Sequence, residues 1–110
     1  MSKYDHELYR IKADFCKTLA DPTRQMMIAE LRTGEKTVGE LAEAIEIIQP
    51  AASHHLAVLR AKGVVQARRD GSNVYYSLVN PKIAEACDMV HQILLSQMAK
   101  NRDLANRVMA

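Results

Sequence analysis

This chain of 110 residues has no tryptophan, one phenylalanine, four glycines and two cysteines. It also lacks repeats, low-complexity tracts and long apolar runs. Each absence excludes something. Cys16 and Cys87, 71 positions apart, do not make a secreted disulfide scaffold. No apolar run approaches the roughly 20 residues of a membrane span. The N-terminal MSKYDHELYR is polar and has no apolar signal-peptide core. A cytoplasmic protein without a membrane anchor is therefore expected. There is no glycine-rich phosphate loop, no spaced Ser/His/Asp or Cys/His set, and no carboxylate pair in an evident cleft, so no enzyme and no cofactor are expected. A net charge of +2 is too small to point to nucleic acid by itself. With so few aromatics, the 48% hydrophobic content comes from Leu, Ile, Val, Ala and Met. That suits a helical core in one domain spanning residues 1–110.

What the chain does have is concentrated in Gln49–Gly63, QPAASHHLAVLRAKG. Pro50 fits a first helical turn, where no N–H is needed and φ is already right. Leu56 and Leu59 make an apolar edge with Val58 beside them. Ala51, Ala52 and Ser53 keep the other face short-sided. Gln49, Ser53, His54 and His55 place hydrogen-bonding groups near the N-terminal end. Arg60 and Lys62 add positive charge at the far end, and Gly63 is a C-cap. Small residues admit a helix to the major groove, polar ones reach base edges, and basic ones hold phosphates. Charge follows the same division. Residues 30–46 carry five Glu against Arg32 and Lys36, whereas residues 49–73 carry Arg60, Lys62, Arg68 and Arg69 against Asp70.

Around this helix the pattern predicts a mainly α fold with a small β-hairpin. Leu8, Ile11, Phe15 and Leu19 recur at helical spacing in a first helix over about 4–20. Asp21-Pro22 caps and starts a second helix carrying Met26, Met27, Ile28 and Leu31. Thr37 and Glu40 form a capping box for a short third helix with Leu41, Ala44 and Ile45 facing inward. A tight link into the Gln49 helix makes a helix-turn-helix over about 37–62. Two β-rich segments flanking Asp70-Gly71-Ser72-Asn73 read as a two-stranded wing over about 64–79. Arg68 and Arg69 stand near its tip. Strand alternation sends their side chains to opposite faces, so one of the two is expected to contact DNA. Asn80-Pro81 opens a last helix over about 81–100, the fifth, with Ile83, Cys87, Val90, Leu94 and Met98 in a stripe that needs a partner. The tail from Lys100 to Ala110 is polar and is expected to fray.

These residues, taken in order, resemble the ArsR/SmtB-type winged helix-turn-helix repressors. The resemblance runs through Phe15–Arg24 (FCKTLADPTR), Leu41–Ala44, Gln49–Leu56, Leu59-Arg60, Gly63–Val65, Arg69–Gly71 and Tyr75–Leu78, and covers residues 8–98. It implies a homodimer paired through its first and last helices, bound to double-stranded DNA at a palindromic operator, with repression relieved by an inducer whose identity the resemblance leaves open. It places base-edge and phosphate contacts at Gln49, Ser53 and His54. Two positions depart from the pattern: Ile48 stands where Ser or Thr precedes Gln-Pro, and Glu46 where the turn commonly has Gly. The metal sites of related repressors find no match either. The third helix carries no thiol, and Asn80 and Lys82 stand at the start of the last helix where ligands would be. No resident metal is expected.

Several residues keep two readings. His55, one step round from His54, either contacts DNA or bonds internally. Cys16 and Cys87 are either small buried hydrophobes or a thiol switch between the first and last helices; with His91, one turn from Cys87, and Asp88 as a helper, they are also the one candidate metal set. A winged-helix protein-interaction module without DNA binding is the rival reading of the whole chain.

Overall fold

A computed structural model describes residues 2–109, with backbone alone for 102–105. The order is α1 His6–Thr18, α2 Pro22–Leu31, β1 Lys36–Thr37, α3 Val38–Ala44, α4 Gln49–Ala61, β2 Val65–Asp70, β3 Asn73–Leu78, α5 Lys82–Lys100 and α6 Arg102–Met109. The elements fall into two compact units, Met1–Asn80 and Pro81–Ala110. The expected winged helix-turn-helix is present in the first.

Caps set most of its helix boundaries. Asp5 accepts the Leu8 N–H at 3.1 Å, and Asp21 accepts the Arg24 N–H at 3.1 Å. The capping box closes at both ends: Glu40 N–H donates to Thr37 Oγ1 at 3.2 Å, and Thr37 N–H donates to Glu40 Oε1 at 3.0 Å. These bonds hold the Glu40 carboxyl below its ordinary pKa, the Thr37 backbone N–H being the largest cause. The sheet runs β1-β3-β2, all antiparallel. Gly71, at φ +63°, takes the first central position of the two-residue β2–β3 turn, where a primed turn needs a positive φ.

α3 and α4 end in the same way. After α4, Gly63 N–H donates to the Arg60 carbonyl at 3.1 Å and Val64 N–H to the Leu59 carbonyl at 2.9 Å, with Gly63 at φ +76°. After α3, Glu46 N–H donates to the Glu43 carbonyl at 3.3 Å and Ile47 N–H to the Ala42 carbonyl at 3.0 Å. Both are Schellman closures, which need a left-handed residue at the pivot. Glycine supplies it at position 63; at position 46 a glutamate is held at φ +58°. A side chain there costs about 1–2 kcal/mol, partly offset by the greater freedom glycine has when unfolded. Glu46→Gly is therefore expected to stabilise the chain by roughly 0.5–1 kcal/mol, read as a rise in the urea midpoint at unchanged slope. A lower midpoint would show that the turn is not strained.

The core of this unit is Met27, Ile28, Leu31, Leu41, Ala42, Ala52, Leu56, Leu59, Val64 and Val65. It departs from the sequence reading in three places. Ala42 is buried where Ala44 was expected, because α3 is only two turns long and its inward face is set by its cap. Ala52 belongs to the core, not to the outer face of α4. Met26 is exposed while Met27 is buried.

Three further expectations are corrected. Among the described residues there are six helices, not five, since the tail from 102 continues as α6; Arg, Leu, Ala and Met are all good helix formers. The wing sheet has a third strand, because Lys36-Thr37 pairs with Tyr75-Tyr76; two residues are too few to show an alternating pattern. α5 begins at Lys82, not at position 81; Pro81 is its cap residue and offers no side-chain cap bond. Along α5, Met89, Val90, Ile93, Leu94 and Leu95 are exposed; on α1, so are Leu8, Tyr9 and Ile11. No helix of the described residues is long and apolar enough to cross a membrane.

Candidate nucleic-acid interface

α4 packs against α2, α3 and β2. Burial of Ala52, Leu56 and Leu59 fixes which way it faces. Gln49, Ser53, His54, Ala57, Arg60 and Ala61 are all exposed. The Gln49 amide lies back over α3: a Cβ added to Gly39 would come within 3.3 Å of Gln49 Nε2. Gly39 thus leaves the space in which that amide sits. Ile48 caps α4 with no side-chain hydrogen bond and is 72% exposed, so the donors of the first turn lack the oxygen that a Ser or Thr would give them.

An open groove of about 460 Å³ runs between α4 and β3, lined by Ser53, Leu56, Ala57, Arg60, Ala61 and Tyr76. Its α4 wall is mostly small side chains, with one guanidinium at the far end. Of the four cations in this half, two are engaged within the fold. Lys62 Nζ pairs with Asp14 Oδ2 at 3.0 Å, joining the end of α4 to α1. Arg68 donates to Glu35 through Nε at 3.2 Å and through Nη2 as well. It also faces Asp70 at 3.8 Å and lies 5.0 Å over the Tyr75 ring. The hydrogen bond from Arg68 holds the Glu35 carboxyl below its usual range, and the same bond raises Arg68. Arg69 and Arg60 are exposed, and among the described residues neither has an ion pair.

His55 is placed differently from His54. Its side chain is 19% exposed. Its Nδ1 accepts from Arg24 Nε at 3.3 Å and lies 3.9 Å from Asp21 Oδ2. His55 thus makes an internal bond in the free chain. Cys16, on α1, is exposed and is not a core hydrophobe; Cys87, on α5, is half-buried; neither is in a disulfide among the described residues. No group of three His, Cys, Asp or Glu that could hold a metal ion occurs among the described residues. Sequence reasoning gave no functional part to Arg24 and Glu35. Their partners lie 31 and 33 positions away; Arg24 closes the Phe15–Arg24 motif, but nothing in that motif names its partner, and no local pattern signals Glu35.

Comparison with known proteins agrees with this geometry. Residues 21–67 match the family model described as bacterial regulatory protein, arsR family. The biofilm growth-associated repressor of Xylella fastidiosa strain Temecula1 is 39% identical over 85 residues, covering 77% of this chain and 75% of that one. Among solved structures, NolR from Sinorhizobium fredii superposes with a TM-score of 0.75 at 33% identity, over 84% of this chain and 93% of the other. A homodimeric winged helix-turn-helix DNA-binding domain from Mycobacterium bovis gives 0.74 at 29%, over 86% and 87%. The chain belongs to the arsR family of bacterial regulatory proteins, and with it to the winged helix-turn-helix repressors that regulate transcription by binding DNA.

Proposed function

We propose that the protein is a homodimeric cytoplasmic repressor that reads an imperfect palindrome with two copies of α4. One observation carries the reading: the core fixes α4 so that Ser53, His54, Arg60 and the groove beside β3 all face outward. In each half-site, Gln49, Ser53 and His54 meet base edges and phosphates, and Arg60 holds a phosphate at the rim. On the wing Arg69 touches the DNA, while Arg68, tied to Glu35 and Tyr75, braces the hairpin. His55 is left out of the contact set. The exposed stripes of α1 and α5 support pairing of two chains, as does the homodimeric M. bovis relative.

The test is to enrich a duplex from a random-sequence pool with the full-length protein, then titrate it by fluorescence anisotropy. The expected product is a two-fold motif with half-sites about one or more helical turns apart, roughly 10–10.5 bp each, bound by two chains. Its affinity should fall steeply as salt rises. An unsymmetric motif would overturn the dimeric reading, and no enrichment would favour a module that binds protein instead. A second arm treats the protein with diamide, which oxidises thiol pairs. Weaker binding, reversed by dithiothreitol and lost in Cys16→Ser, supports a thiol response through Cys16 and Cys87; unchanged binding removes it.

A further inference from the structure

We propose that Arg24 is a positioning residue for DNA recognition, acting through His55 to hold α4 against the corner between α1 and α2. The proposal rests on the reading that α4 lies on DNA. Arg24 is half-buried and joins three elements. Its Nη1 donates to the Thr18 carbonyl at the end of α1 at 3.2 Å. Its backbone N–H donates to Asp21 Oδ2 at the start of α2. Its Nε donates to His55 Nδ1 in the middle of α4 at 3.3 Å. His55 follows directly on His54, and the two rings meet edge to face with centroids 5.6 Å apart. A shift at His55 therefore reaches the outer face of the helix.

The bridge depends on protonation. Only a lone pair on Nδ1 receives the Arg24 N–H, so the bond exists while the imidazole is neutral. A proton on Nδ1 replaces that acceptor with a donor and sets a second cation against the guanidinium. The group then available to it is Asp21 Oδ2, 3.9 Å away. Arg24 and Asp21 from α2 and His54 on α4 itself are the charged or titratable groups bonded to, paired with or stacked on His55 among the described residues. The Lys62–Asp14 pair closes the same α1–α4 joint at the far end of α4. The bridge and this pair thus hold α4 against α1 and α2 at two points along the helix.

The experiment uses the enriched duplex and full-length variants. At pH 8, Arg24→Ala and His55→Ala are each expected to lower affinity about tenfold, and the double variant to lower it no further than either. The slope of log affinity against log salt should stay that of the wild type. If Arg24 held a phosphate directly, its removal would flatten that slope by about 0.9 per phosphate. His55→Asn keeps an acceptor near the place of Nδ1 and should bind near the wild-type level. Where Arg24→Ala melts too low to assay, Arg24→Lys, with one donor group for two acceptors, should give an intermediate loss at unchanged salt slope. Additive losses, a flattened slope, or a His55→Asn loss as large as that of His55→Ala would each overturn the proposal. If no duplex is enriched, the coupling is read as a double-mutant cycle in thermal unfolding. Coupling there would leave the bridge standing while the DNA reading falls.

Discussion

Replacing Ser53 and His54 together by alanine is expected to lower operator affinity by about a hundredfold or more, with no loss of fold. Both residues are exposed on the outer face of α4, and neither contributes to the core. A good contact to a base edge is worth about 1–3 kcal/mol of discrimination, and a symmetric dimer presents each contact twice. Alanine is the better helix former at both positions, so the thermal midpoint should hold or rise slightly. The loss should also be selective. Neither substitution removes a guanidinium or ammonium group, so the salt slope should be kept while affinity for the enriched duplex approaches that for a scrambled one. Arg69→Ala should behave in the opposite way, weakening both duplexes alike and flattening the slope by about 0.9 for each phosphate the variant leaves unneutralised. Arg68→Ala acts through the brace to Glu35 and Tyr75, so its effect should be mimicked by Glu35→Gln. A double alanine variant at 53 and 54 that still separates the two duplexes as the wild type does would place base recognition elsewhere on the chain.

The features that could be read from the sequence are those written in local chemistry. Asp5 aside, which the first helix pattern left unmarked, the starts of α2 and α3 follow from Asp21-Pro22 and from Thr37 with Glu40. The hairpin follows from Asp70-Gly71-Ser72-Asn73 between two β-rich segments, and the end of α4 from Gly63. The outer face of α4 is equally legible at Ser53 and His54, because Leu56 and Leu59 mark its inner edge. Features that depend on distant residues could not be read. Nothing near Arg68 says that Glu35 holds it, and nothing near His55 says that Arg24 reaches its ring. The two wing arginines look alike in sequence; a residue 33 positions away makes one a brace and leaves the other at the surface. Ala52 reads as part of a small outer face until α4 is seated and its inner row, 52, 56 and 59, becomes visible. The strain at Glu46 was visible only as a departure from a family pattern, and the Schellman closure at Ile47 gives it a physical cause.

The pair Met26 and Met27 separates burial from every other variable, and Met27→Ala is expected to cost about 2–5 kcal/mol while Met26→Ala costs under about 1. The two residues are adjacent, identical in type and both inside α2, so helix propensity nearly cancels between the variants. They differ in surroundings: Met27 is 0% exposed and Met26 is 44% exposed. Truncating Met27 removes the transfer energy of its buried chain and leaves a cavity beside Ile28 and Leu31, which close packing fills only in part. Truncating Met26 removes a side chain that already meets water, and alanine slightly favours the helix. A domain of this size is stable by about 5–15 kcal/mol, so the loss at Met27 is a large share of the total. It should appear as a drop of roughly 8–40 °C in the thermal midpoint, taking about 4–8 °C for each kcal/mol. The effect reaches function through the same core. α2 packs directly on α4, so a hole in α2 is a hole beneath the helix that carries Ser53 and His54, and operator binding by Met27→Ala should fail at a lower temperature than that of Met26→Ala. Equal midpoints for the two variants would mean that α2 is rotated about its axis from the placement described, and the outward face of α4 would have to be assigned again.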